Sequence, residues 1–138
     1  VRPDSRASAR ISSSVGPATD RLVRAVEHPS VDVLGHPTGR LIAEREGLSP
    51  DIERVAAAAA DAGTALEINA DPARLDLRGE FVRVAVDAGA TVVVDTDAHA
   101  PGALEYLRYG VHTARRGWCE PGDLLNTRPT ERLRSFLH

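Results

Sequence analysis

The sequence predicts an α/β fold on a parallel sheet. Short apolar strands alternate with helical stripes of about ten residues, and glycines stand where two of the helices must end. The first helix is marked by Leu22, Val23 and Val26 on one face, and Val31-Asp32-Val33-Leu34 follows as a short strand stopped at Gly35. Ser49-Pro50-Asp51 supplies a cap, a proline suited to a first turn and an acid at the positive end of the next helix. The run Ala56 to Ala60 propagates that helix, Gly63 closes it, and residues 64–69 read as a second strand. Phe81, Val82, Ala85 and Ala88 form a third helical stripe that ends at Gly89. The β-branched run Thr91-Val92-Val93-Val94 then makes a strand expected to be buried on both faces. Residues 110–126 read as loop and short turns. A last helix, with Pro129 in its first turn and Leu133, Phe136 and Leu137 on one side, is expected to cover an exposed sheet edge.

A chain of 138 residues, 42% hydrophobic and 27% charged, can bury one core. Residues 1–17, rich in Ser, Arg and Ala without a sustained apolar period, are expected to be disordered or low-complexity, which leaves 18–138 as the folded unit. A closed eightfold barrel takes roughly 250 residues, so the chain has length for only an open arc of one; a compact doubly wound sheet is the competing architecture. No apolar run suits a membrane span and no signal segment is visible, so no membrane partner and a cytoplasmic location are expected. The chain has no methionine even at position 1, and a fragment is the expectation. The single cysteine, Cys119, cannot form an internal disulfide and reads as an inert, partly buried thiol. All 17 basic residues are arginine, and the net charge of -3 gives no general drive toward nucleic acid, so contact with it requires a local patch.

The residues that can carry chemistry follow the strands. Asp95-Thr96-Asp97-Ala98-His99 lies directly after the third strand, where parallel α/β folds present functional groups. In an extended backbone Asp97 and His99 would project together, with Asp95 on the same face, and could share a cation; the plainer alternative is a helix cap and a surface histidine. His36 holds the same position after the first strand, and Pro37 is expected to keep it out of helix and extended. Glu67 and Asn69 share a face of the middle strand, as cleft groups or as structural hydrogen-bonding groups. Arg40, Arg74, Arg115 and Arg116 are the basic residues nearest these loops, and guanidinium forks suit phosphate oxygens. Trp118 and Tyr109 can stack on bases but are expected mainly to pack. No glycine-rich phosphate loop, Gly-x-Ser-x-Gly elbow or His-Glu-x-x-His is present, which excludes kinase, serine hydrolase and zincin readings.

Four segments, Asp32-Val33-Leu34-Gly35-His36-Pro37-Thr38-Gly39-Arg40, Leu66-Glu67-Ile68-Asn69-Ala70, Arg74-Leu75-Asp76-Leu77 and Thr96-Asp97-Ala98-His99, resemble successive motifs of one known domain. This is the polymerase and histidinol phosphatase (PHP) domain of bacterial family X DNA polymerases. Residues 109–118 and 124–127 are similar to that domain's C-terminal end, and the likeness runs from about Arg21 to Leu137. The resemblance implies the C-terminal half of a distorted (β/α)7 barrel with divalent metals, manganese or zinc, at the strands' C-terminal ends. It implies His36, Asp97 and His99 as metal ligands, and Arg74 resembles a position near the phosphate cleft; Arg40 and Arg116 as further phosphate candidates, and Glu67, Asn69 and Asp95 as cleft candidates, rest on their placement in the sequence. The implied activity is phosphoester hydrolysis, as a 3'-5' exonuclease on DNA ends in polymerase-linked members and on small monoesters in others. The family's His-x-His motif and the following glutamate lie upstream of this chain, a further histidine aligns near Ser8, and Asp95 stands where asparagine is more common. Weak metal binding and little turnover are therefore expected of the isolated chain, with a polymerase domain upstream or in trans as partner. The competing expectations are a non-catalytic remnant supporting a polymerase or a DNA contact, and a monoesterase of the histidinol phosphatase type.

Overall fold

The computed structural model describes residues 5–137, with side chains from Val15 onward. Helix α1 (Ser5–Glu27) leads into strand β1 (Val33–Leu34), helix α2 (Ile52–Ala62), strand β2 (Ala65–Asn69), helix α3 (Gly79–Asp87) and strand β3 (Val92–Asp95). The sheet is parallel throughout in the order β1-β2-β3, with Leu34 opposite Leu66 and Asn69 opposite Asp95. The α/β class and the parallel sheet are as the sequence predicts. Helix α1 starts well inside the 1–17 stretch expected to lack regular structure, of which residues 1–4 lie outside the described residues.

Local chemistry accounts for the boundaries. The Asp51 carboxylate accepts from the Arg54 amide at 3.1 Å and opens α2, and Gly63, at φ 72°, closes it in a left-handed conformation that costs glycine nothing sterically. Ala56 and Ala59, both fully buried, let α2 lie close on its neighbours, and Thr64 ties the start of β2 to α1 by donating to the Val26 carbonyl at 2.7 Å. Every residue of β2 is buried, the mark of a central strand covered on both faces; β3 alternates buried and half-buried, so it departs from the two-faced burial expected of it.

The segment after β3 differs most from expectation. Pro101–Tyr106 forms a 3-10 turn and helix α4 spans Leu107–Arg116, where residues 110–126 were expected to be loop. The reason is tertiary: a side chain at Gly110 would bring its Cβ to 2.3 Å from Val94 Cγ1 and 2.8 Å from Ala70 Cβ, so this poor helix former allows α4 to lie directly on β3. Helix α5 (Thr130–Phe136) buries no residue and does not take the expected covering role. The free edge of β3 is held instead by Asn126, whose carboxamide accepts from the Val94 amide at 2.8 Å and donates to the Val94 carbonyl at 2.9 Å. Among the described residues, no helix is long and apolar enough to cross a membrane.

Candidate functional site

Because the strands are parallel and in register, the loops leaving β1, β2 and β3 open on one side of the sheet, and His36, Asn69 and Asp97 meet there. His36 Nε2 stands 3.5 Å from Asp97 Oδ2, with both side chains about a third or more exposed. Asn69 bridges them, its amide nitrogen 3.3 Å from His36 Nδ1 and 3.5 Å from Asp97 Oδ2, while its oxygen accepts from the Asp71 amide at 3.0 Å. Glu67 lies beneath. Its Oε2 accepts from the His36 backbone amide at 2.6 Å and stands 3.7 Å from His36 Nδ1. Burial first, then a hydrogen bond shared with the Asp95 carboxyl, pushes the Glu67 carboxyl up to about 8.

Neither strand-end loop is extended. His36 has φ 44° and Asp97 φ 50°, so the alternation assumed for Asp95, Asp97 and His99 does not hold. Proline at 37 keeps His36 out of helix, but Glu67 draws the His36 amide inward and turns the backbone left-handed. At Asp97 the amide donates to the Asp95 carboxylate two residues back at 3.1 Å, a tight local turn. His99 is exposed and donates from Nδ1 to the Asp97 backbone carbonyl at 2.6 Å, leaving Nε2 as its free electron pair.

Asp76 is the residue that reading the sequence for chemistry misses. It is 1% exposed, and its carboxylate accepts from the Thr38 amide at 3.1 Å, the Thr38 hydroxyl at 2.9 Å and the Gly39 amide at 2.9 Å. That clamp fixes the loop carrying His36. Arg40 joins the same two loops: its Nε donates to the Arg74 carbonyl at 2.7 Å and its Nη2 to the Leu75 carbonyl at 2.5 Å. Arg74 in turn reaches the Arg40 carbonyl at 3.4 Å. Burial lowers the Arg40 pKa, with Asp76 opposing the shift, so much of this fork is committed to structure. Arg116 is exposed at the end of α4, its Cβ against Gly79. Cys119 is half-buried, and burial pushes its thiol up to about 11, consistent with an inert group.

The His36 and Asp97 pair fits a cation. Two ligands held at about 2.0–2.1 Å by one tetrahedral cation stand about 3.4 Å apart, close to the 3.5 Å observed. Metal at Nε2 requires a proton on Nδ1; Glu67 Oε2 lies on that side at 3.7 Å, beyond hydrogen-bond reach, and the Asn69 amide nitrogen at 3.3 Å would have to turn away from it. Among the described residues, no three His, Cys, Asp or Glu side chains form a ready-made cluster, and His99 is not brought into the pair.

No family model matches the chain. Over 117 residues, 85% of this chain, it is 44% identical to DNA polymerase/3'-5' exonuclease PolX of Bacillus subtilis (strain 168). Over 92 residues it is 33% identical to probable phosphatases of Shewanella sp. strains ANA-3 and MR-4. The chain spans 20% of the polymerase and 34% of each phosphatase. These identities bear out the resemblance to the polymerase-linked domain that the sequence motifs carry.

Proposed function

We propose that this chain, similar over most of its length to part of a family X polymerase, is the C-terminal part of a PHP-type phosphoesterase domain, an open arc of its barrel, that acts on DNA ends. The carrying observation is that His36 Nε2 and Asp97 Oδ2, from two different strand ends, face each other at 3.5 Å. His36, Asp97 and, after rotation of its exposed ring, His99 would hold a divalent cation, manganese or zinc. A cation held there supplies a water that is acidic near neutral pH and charge to offset a phosphate.

The chain's own residues do the positioning. Asp76 fixes the His36 loop, Glu67 holds the His36 backbone amide, and Asn69 keeps Asp97 aligned. Arg74, Arg40 and Arg116 are the candidate phosphate groups, with Arg40 the most constrained of them. A second reading, a non-catalytic remnant that supports a polymerase domain, is favoured by the His99 ring, which is bonded to the backbone rather than directed to the pair.

Calorimetric titration with manganese of wild type and Asp97→Ala tests the site. Binding that is lost in the variant supports it, and indistinguishable curves overturn it. Parallel assays of labelled single-stranded DNA and a chromogenic monoester, each with manganese, separate the readings: turnover of DNA supports the exonuclease, of the monoester alone the small-molecule phosphatase, and of neither the remnant.

A further inference from the structure

We infer that Asn69 is a latch on the His36 ring: its carboxamide holds the imidazole in the tautomer with the proton on Nε2, the nitrogen a cation beside Asp97 needs, so the site stays closed until Asn69 yields. The inference rests on the cation reading above and deepens it by naming the residue that controls loading. Asn69 is a positioning residue that acts through His36.

The hydrogen-bond partners fix the orientation of the carboxamide. A backbone amide can only donate, so the Asn69 atom that meets the Asp71 amide at 3.0 Å is the oxygen. The other arm is then the NH2 group, which also can only donate, and it lies 3.3 Å from His36 Nδ1 and 3.5 Å from Asp97 Oδ2. His36 Nδ1 therefore accepts and carries no proton. In a neutral imidazole the proton then sits on Nε2, which faces Asp97 Oδ2 at 3.5 Å. Asn69 is fully buried, so water does not compete for these contacts. A proton joins His36 to Asp97, and no ring electron pair is left for a cation.

His99 is set the opposite way. Its Nδ1 meets the Asp97 backbone carbonyl, which can only accept, so the proton is there and Nε2 keeps a free pair. The exposed histidine is ready for a cation and the strand-end histidine is not. Opening His36 breaks one N–H bond at Nε2 and forms one at Nδ1, with no net gain or loss of a proton. The carboxamide must also leave Nδ1 or turn over. Turned over, its oxygen would accept from Nδ1 but would also face the Asp97 carboxylate, and its NH2 group would face the Asp71 amide. Those are two like pairings in place of two bonds, which is what makes Asn69 hold its orientation.

Nitrogen NMR of the isotope-labelled full chain reads the latch directly. In EDTA at about pH 8, where an ordinary imidazole is neutral, the His36 ring, assigned by its loss in His36→Gln, should show a bare Nδ1 and a protonated Nε2. In Asn69→Ala the two tautomers should mix, and calorimetric titration should give manganese binding about tenfold tighter than wild type. In Asn69→Asp, which keeps the acceptor for Asp71 and puts a second acceptor beside Nδ1, the proton should move to Nδ1. A role limited to aligning Asp97 gives the opposite sign: weaker binding in Asn69→Ala and an unchanged tautomer. A proton on His36 Nδ1 in the wild type, or manganese binding in Asn69→Ala that is unchanged or weaker, overturns the latch. Should Asn69→Ala fail to fold, the spectra of the wild type and Asn69→Asp still decide. Either overturning result, found together with manganese binding that Asp97→Ala abolishes, removes the latch and leaves the cation site standing. Binding absent from both the wild type and Asn69→Ala removes the site and the latch with it.

Discussion

Replacing Asp76 by alanine tests whether one buried carboxylate fixes the geometry of the site. The change leaves three donors without their acceptor: the Thr38 amide, the Thr38 hydroxyl and the Gly39 amide. Hydrogen bonds to a charged group contribute about 1.5–3 kcal/mol each, and a buried donor left unpaired costs a similar amount. Thr38 is 4% exposed, so its amide has no ready substitute in water; the Thr38 hydroxyl can rotate, and Gly39 is only half-buried. Counting the Thr38 amide in full and the other two at half gives a loss of about 3–6 kcal/mol, a large share of the roughly 7–20 kcal/mol expected of a chain this size. With a urea slope of about 2 kcal/mol per M, the midpoint should fall by about 1.5–3 M. Asp76→Asn, which keeps the shape but turns one amide donor toward other donors, should fall by about half as much. Manganese affinity should drop in both, because the loop carrying His36 loses its anchor. A midpoint shift in Asp76→Ala below about 0.5 M would show that the loop is held by something else.

Two further substitutions probe packing and charge. Gly110→Ala should destabilise the chain by about 1–3 kcal/mol in a urea titration, because overpacking against Val94 and Ala70 outweighs the roughly 1 kcal/mol of helix propensity gained; a stabilised variant would contradict the close contact. For Glu67, raised to about 8 from an ordinary 4.5, the folded state keeps a proton that the unfolded chain releases between those pH values. The stability of the metal-free chain should therefore fall as pH rises from about 4.5 to 8, and Glu67→Gln should remove most of that fall; parallel slopes for the two proteins in EDTA would refute it.

What the sequence discloses here is what local chemistry determines. Asp51 and Gly63 bracket α2 because a cap and a left-handed glycine act within one turn, and the β-branched run before Asp95 is a strand for equally local reasons. Helix α4 was hidden because the fact that makes Gly110 acceptable, its contact with Val94 and Ala70, lies in the sheet. The placement of His36 and Asp97 at strand ends was legible, but their backbone shape was not: a carboxylate 31 residues away in the chain turns His36. The role of Asp76 is hidden for the same reason, since its partners sit 37 and 38 residues earlier. A signal did exist in an acid within an otherwise apolar Leu-Asp-Leu run, which must find donors if it is buried.

Backbone strain gathers mainly at the strand ends. The non-glycine residues with positive φ among the described residues are His36, Ala43, Leu75, Asp97 and Trp118; His36, Leu75 and Asp97 lie on strand-end loops, Ala43 lines a cavity of about 620 Å³, and Trp118, exposed rather than packed as expected, follows α4. A left-handed backbone costs roughly 1–2 kcal/mol at each such residue, so it persists only where neighbouring contacts hold it, as Glu67 does at His36 and Asp95 at Asp97. Ala43 separates strain from side-chain chemistry, since it is exposed and its methyl group makes no hydrogen bond. Glycine there would relieve about 1–2 kcal/mol of steric cost while adding about 0.5–1 kcal/mol of unfolded-state freedom. The expected net for Ala43→Gly is a gain of about 0.5–1 kcal/mol, read as a higher urea midpoint. A lowered midpoint would mean that the loop lining that cavity does not hold Ala43 in a left-handed conformation in solution, and strain near the site would then be confined to the strand-end loops.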